Sequence, residues 1–293
     1  MNIFAIIFTY NAMRRQWIDR CLKSLAESTV PIVPIIIDNA STDGTRDHVP
    51  ANYPNVVWLP QQQNLGFGQA NNVGIRYALE HEADFVLLLN QDAAVSSSAV
   101  EDMVEVSDGE SLYTPVHLNG DATSLDFMFR QSLLKHPGMF VDDLYLDKTL
   151  RPSYLVGEIC AACWFMPIGV IKRIGGFNPL FFHYGEDRNY YQRLVYHGFK
   201  TVLVPHARMM HDRKQFGDEQ AHLFRSTRRD LLLILSDVNQ GGWQRTKNVL
   251  RFFIHRPVSK WPAVIVELGW AMGHICDISK SRKAEKQVGM NWL

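Results

Sequence analysis

The sequence predicts an α/β fold. It expects a mostly parallel central sheet with helices on both faces, followed by a helical C-terminal extension. Three observations lead there. Short continuous apolar runs alternate with helical periodicity over the first ninety residues. Polar residues cluster directly after those runs. Basic, amphipathic segments fill the chain from about residue 225.

Ile3 to Phe8 is a continuous apolar run, as expected of a strand buried on both faces. Residues 14 to 27 read as a helix, with Ile18, Leu22 and Leu25 on one face. Ile32 to Ile37 is a second strand. Pro34 within it predicts a bulge or a late strand start, because proline cannot donate to the ladder. Val56 to Leu59 is a short third strand, residues 68 to 81 a helix, and Phe85 to Leu89 a fourth strand. Gly175-Gly176-Phe177-Asn178-Pro179 marks a tight turn. Residues 187 to 197 carry helical spacing, and Thr201 to Val204 is a fifth apolar strand, with His211 after a short gap. Residues 109 to 155 carry no readable motif, and a loop is expected there.

Composition narrows the function. The 293 residues are 46% hydrophobic and 20% charged, which excludes disorder, collagen and a disulfide scaffold. Thirty basic residues balance thirty acidic ones, which argues against a general nucleic-acid binder. The total hides a split. From Arg225 onward twelve Lys/Arg face five Asp/Glu, so this tail carries +7 and residues 1–224 carry −7. The four cysteines point to a reducing compartment, and Cys160-x-x-Cys163 lacks the second ligand pair of a zinc site. No signal peptide is expected at the N-terminus and no spanning helix anywhere; Trp261 to Ile278 comes nearest.

In open α/β sheets, ligands bind beyond the carboxyl ends of the strands. The groups found there are Thr9-Tyr10-Asn11, then Asp38 through Gly44, then Asn90-Gln91-Asp92. Asp38 reads as a contact to a base or ribose, or as a helix cap. Asp92 reads as a ligand for Mg²⁺ or Mn²⁺, or as a loop cap. Gly66-Phe67-Gly68 lacks the third glycine of a dinucleotide fingerprint and follows the third strand, which disfavours an NAD enzyme. It reads as a turn into a helix, with Asn64, Asn71 and Asn72 as polar contacts. Phe181 to Tyr184 form an aromatic segment ending in Glu186-Asp187. These carboxylates either favour a helix N-terminus or act as a general base beside a sugar-like acceptor. His211 reads as structural or as a metal ligand.

Taken together, these segments resemble the family-2 glycosyltransferases of GT-A fold, over about residues 2 to 215. Phe8-Thr9-Tyr10-Asn11, Asp38-Asn39-Ala40-Ser41-Thr42-Asp43-Gly44-Thr45, Asn64-Leu65-Gly66-Phe67-Gly68 and Ala70-Asn71-Asn72 carry the donor half. Gly175-Gly176-Phe177, Gly185-Glu186-Asp187 with Arg193, and Val204 through His211 carry the rest. The branch it looks most like is rhamnosyltransferase-like. The resemblance implies a GT-A domain over 1–224 and a basic helical tail over 225–293. It implies Asp187 as catalytic base with Glu186 beside it. It implies Thr9, Tyr10, Asn11, Asp38, Asn64, Gly66, Asn71, Gln91 and Asp92 around the nucleotide sugar, and Asp92 with His211 on Mg²⁺ or Mn²⁺. The implied reaction is an inverting transfer, first from dTDP-rhamnose, to a glycan or lipid-linked glycan in surface polysaccharide synthesis. A UDP-hexose or UDP-N-acetylhexosamine donor, or a non-catalytic nucleotide-sugar binder, is the alternative. Three positions depart from the pattern: Asn90 and Asn178 stand where an acid is usual, and His206 where many relatives carry Asp. A cytoplasmic enzyme is expected. Its tail would lie on the anionic inner face of the membrane, pack on the sheet domain, or form a homodimer contact.

Overall fold

The structure is a computed structural model, and it describes residues 1–136, 138–212 and 219–293. Pro137 and the last three residues of the resemblance, 213–215, lie outside the described residues. The chain begins β1 (Ile3–Thr9), α1 (Trp17–Ala26), β2 (Val33–Asp38), α2 (Thr45–Asn52), β3 (Val57–Trp58), α3 (Phe67–Glu80) and β4 (Phe85–Asn90). It continues β5 (Ala93–Val95), α4 (Ala99–Glu105), β6 (Ser111–Asn119), α5 (Phe127–Lys135), α6 (Gly138–Tyr145) and β7 (Tyr154–Val156). Then come β8 (Cys163–Pro167), α7 (Ile168–Ile174), α8 (Glu186–Tyr196) and β9 (Lys200–His211). The tail holds α9 (Glu219–Ser236), α10 (Gly242–Ile254), α11 (Trp261–Gly273) and α12 (Ile275–Glu285).

The strands form one sheet in the order β3-β2-β1-β4-β8-β6-β9-β5, with β7 paired to β9. The first four positions are parallel, as the strand–helix alternation requires. Beyond β4 the sheet is mixed. β8 is antiparallel to β4 and β6, β6 runs parallel to β9, and β5 and β7 are antiparallel to β9. Alternation along β1 sorts the core into two layers. Ile3, Ala5 and Ile7 face α1 and α4, and Phe4 and Ile6 face α3, α7 and α8. Pro34 sits second in β2, opposite Ala5, so it is accommodated at the strand's start.

Two expectations change. The stretch 109–155 is not a loop. It builds β6, α5, α6 and β7 around a satellite core that includes Phe129, Leu133, Phe140 and Tyr154. The fifth strand is also longer than expected, and His211 is its last residue. The pairing of β9 with β6 shifts after Val204 and resumes at Arg208, so residues 205–207 bulge out, starting at Pro205. His206 is exposed in that bulge.

The tail is folded against the sheet domain. Leu231, Leu232 and Leu233 of α9, Ala271 of α11 and Ile278 of α12 enclose Phe181 in a core of their own. The apolar stretch from Trp261 is cut at His274, between α11 and α12. Among the described residues no helix is long and apolar enough to cross a membrane.

Helix α3 lies close on the sheet because it carries Gly74. A Cβ there would sit 2.5 Å from Ile6 Cγ2 and 2.8 Å from Ile37 Cδ1. Gly74→Ala is therefore expected to destabilise the fold by about 1–3 kcal/mol through overpacking, read as a lower urea midpoint with an unchanged slope.

Candidate active site

The strand ends converge as a sheet of this kind dictates. At the end of β1, Tyr10 N donates to Gln91 Oε1 (2.8 Å) and Gln91 Nε2 donates back to Tyr10 O (3.2 Å). Asn11, held at φ 52°, donates its backbone N–H to Ser41 Oγ and accepts from Thr42 N. The Thr9 hydroxyl donates to Ile37 O in the interior. These contacts lock the three strand-end loops together.

Asp38 ends β2 fully buried, and its Oδ2 accepts from Arg46 Nε at 2.7 Å. Arg46 also donates to Gln61 O. It lies on α2, in no motif, and was not foreseen from sequence. Asp43 accepts from both the backbone and the hydroxyl of Thr45 and shapes the turn into α2, whose N-cap is Gly44.

Asn64 Oδ1 accepts from Gly66 N and from Asn39 Nδ2, which shapes the turn before α3. Gly66 has φ 77°, and a Cβ there would collide with the Phe182 carbonyl. Only glycine allows this approach, which brings the donor half against the aromatic segment. Asn71 and Asn72 spend their amides structurally. Asn71 bonds Phe67 O within its own helix, and Asn72 exchanges two bonds with the Phe177 backbone.

The register Ala93↔His211 sets Asp92 beside His211. His211 Nε2 lies 3.3 Å from Asp92 Oδ1 and 3.3 Å from Asn90 Nδ2. Nδ1 is buried with no hydrogen-bond partner, and the Asp126 carboxylate lies 3.6 Å away. One carboxylate thus lies behind the ring and the other in front of it. Among the described residues no three His, Cys, Asp or Glu are grouped to hold a metal. Asp92 and His211 therefore fit a Mg²⁺ or Mn²⁺ site that substrate phosphates complete. Asp126 is also the N-cap of α5, accepting from Phe129 N, and that was its only signal in the sequence. The next residue, Asp212, accepts from Trp17 Nε1 and pairs with Arg15 and Arg20, pinning the end of β9 to the start of α1.

Glu186 and Asp187 open α8. The N-terminus of α8 abuts that of α3, since a Cβ on Gly68 would lie 3.6 Å from Glu186 Cβ. Glu186 is 5% exposed, and its Oε2 has no hydrogen-bond partner. Burial, and secondarily the Asp187 charge, push its carboxyl up to about 8. Asp187 Oδ1 accepts from Arg188 N, and Arg188 Nε pairs with Glu158 at 3.0 Å. The expected aromatic wall divides. Phe181 is buried under the tail, whereas Phe182 and Tyr184 face solvent.

Behind the pair, the tail supplies an acid. Asn178 and Asn189 both donate to Glu285 Oε1 of α12, at 2.6 and 2.7 Å. Arg193 lies between the rings of Tyr190 and Trp292 and donates to Ile174 O and Gly176 O. The carboxylate that meets Asn178 thus comes from a helix more than a hundred residues away. The Cys160-x-x-Cys163 pair is unremarkable: none of the four cysteines forms a disulfide, and burial raises the Cys163 thiol beyond any reactive range.

A parallel Rossmann-like half with polar clusters at its strand ends, continued by a mixed half beyond β4, is a GT-A fold. Solved structures share that fold. A mannosyltransferase from Pyrobaculum calidifontis, solved with GDP-Man and Mn²⁺, superposes with a TM-score of 0.59 at 17% identity, over 93% of this chain and 75% of that one. TarS of S. aureus, solved with UDP, gives 0.54 at 16%, over 92% and 79%. Residues 4–149 match Glycosyl transferase family 2, and the chain belongs to that family. It is 25% identical over 252 residues to an N-acetylglucosaminyl-diphospho-decaprenol L-rhamnosyltransferase of Mycobacterium tuberculosis, covering 78% of this chain and 82% of the relative. It is 27% identical over 122 residues to a dTDP-rhamnosyl transferase of Shigella flexneri, covering 41% and 40%.

The raised Glu186 carboxyl has a consequence for stability. Its proton is lost near pH 4.5 when unfolded but only near 8 when folded. The contribution is fully present below about 4.5 and is lost as pH rises toward 8. Glu186→Gln should flatten that decline, so the variant gains on the parent between pH 5 and 8 in urea titrations. Parallel curves for the two proteins would refute the buried protonated state.

Proposed function

We propose that this enzyme transfers rhamnose from dTDP-rhamnose, with inversion, to a hydroxyl of a lipid-linked glycan in surface polysaccharide synthesis. The observation that carries the reading is the division of labour at the start of α8. Two adjacent carboxyls sit in unlike environments, which is how acid–base roles are separated. Glu186, buried, holds its proton at neutral pH and keeps a second negative charge out of the site. Asp187 is free to take the proton of the acceptor hydroxyl as that oxygen attacks the anomeric carbon. Arg188, paired with Glu158, fixes the backbone from which Asp187 projects. Phe182 and Tyr184 offer apolar faces for an acceptor sugar. The nucleoside diphosphate departs from the opposite side of the ring, toward the strand ends.

On the donor side, the Asp38–Arg46 pair and the Tyr10–Gln91 clamp shape the nucleotide pocket. Asp92 and His211 would hold Mg²⁺ or Mn²⁺, which when bound supplies positive charge against the diphosphate. The named rhamnosyltransferase relatives support rhamnose as the sugar, and the decaprenol-linked substrate in one relative's name supports a lipid-linked acceptor. Transfer from a UDP-hexose or UDP-N-acetylhexosamine is the second reading, and an intact Glu186-Asp187 pair disfavours a non-catalytic binder. The enzyme acts from the cytoplasmic side, where nucleotide sugars are made.

Asp187→Asn should lower transfer about 10²- to 10⁴-fold, the usual worth of a general base, while donor affinity by calorimetry stays nearly unchanged. Near-normal turnover on the true acceptor would remove Asp187 from this role. Asp92→Ala should abolish the gain in dTDP-rhamnose affinity brought by Mn²⁺. A parent enzyme that binds the donor equally with and without metal would sink the Asp92–His211 assignment. Running the same titration with UDP-sugars separates the two donor classes.

A further inference from the structure

The tail's four helices are not equivalent. Helices α9 and α12 are bound into the domain: Leu231 to Leu233 lie in the core around Phe181, and Glu285 holds Asn178 and Asn189. Helices α10 and α11 follow one another, and Phe253 near the end of one packs on Trp261 at the start of the next, ring centroids 4.7 Å apart. Each gives one side to α9 and leaves the other uncovered.

Trp243, Lys247, Leu250 and Ile254 of α10 are spaced by four, three and four residues, so they share one helical face. Arg251 is exposed beside them, and α10 contains no acidic residue. The exposed positions of α11 are Pro262, Ile265, Val266, Gly269, Met272 and Gly273. None carries a polar side chain. The one charged residue of α11, Glu267, is buried in a pair with Arg228 of α9 at 2.6 Å. The six large apolar side chains on these two faces are 56% to 73% exposed. A water-facing helix places charge on its outer side; α11 places none there.

We infer that α10 and α11 form a hairpin that lies in the interface of an anionic bilayer, apolar faces inward. At thirteen residues each, the helices are too short to span one but long enough to lie in its surface. Lys247 and Arg251 edge the apolar stripe, where their stems lie along the acyl boundary and their charges meet lipid phosphates. The charge pattern selects a bilayer over a second copy of this chain. A two-fold contact through the same face would bring the Lys247 and Arg251 of each copy together with no acid on α10 to answer them. The placement also joins membrane to chemistry. Arg229 of α9 packs over Gly185, immediately before Glu186, since a Cβ on Gly185 would lie 2.6 Å from Arg229 Cγ. The hairpin and the catalytic helix are thus linked through α9. The inference draws its purpose from the lipid-linked acceptor proposed above, and its geometry from the tail alone.

The test is flotation of the full-length protein with vesicles of 30% phosphatidylglycerol in phosphatidylcholine. The parent should float, and pure phosphatidylcholine should capture it at least about tenfold less. Ile265→Ser with Met272→Ser should lower capture by anionic vesicles about tenfold, and so should Lys247→Glu with Arg251→Glu. Both variants should keep parental circular dichroism and parental hydrolysis of the donor in solution. A parent that stays with the pellet at low salt overturns the inference. So do variants that float like the parent, or a lipid-free dimer by light scattering that these substitutions disperse. A protein that floats yet transfers sugar to no acceptor leaves the hairpin standing and defeats the proposed function instead.

Discussion

Strand β9 is held by three neighbours, β5, β6 and β7, and the site depends on that grip. Its first half pairs in register with β6 and β7; the bulge at residues 205–207 then redirects its second half toward β5. Because β5 starts one residue after Asp92, this pairing delivers Asp92 to His211. Asp126 and Asp212 extend the arrangement, one behind the imidazole and the other tied to α1. Without the β5–β9 contact, neither Asp92 nor His211 has a reason to be near the other.

A second constraint acts through burial. Glu186 lies where a charge is costly, between the N-terminus of α3 and the tail helix α9. The same packing that closes the core around Phe181 therefore tunes the carboxyl pair. The tail also completes the interior: Glu285 accepts from two buried asparagines, and Trp292 covers the guanidinium of Arg193.

Much of the donor half was legible from sequence. The strands from Ile3 and Phe85 and the helix beginning at Phe67 announced themselves through apolar periodicity, a local property of the chain. The strand-end residues followed from where such sheets bind ligands. Local signals failed where partners are distant. The stretch 109–155 reads as featureless because its small core is assembled with Ile159 and Leu203 from elsewhere in the chain. Arg46 and Glu285 stand in no motif, since nothing near them in sequence says which buried group they will meet.

Sequence by itself determined the fold class and the family resemblance, because residue type and short spacing are local quantities. Tertiary structure decided where the polar groups sit. It buried Glu186 and set Asp92 against His211. It also packed all four helices of a net-basic tail while leaving one side of α10 and of α11 turned outward. Desolvation, strand register and helix packing each depend on what the chain brings together from far apart, and no window of residues contains them.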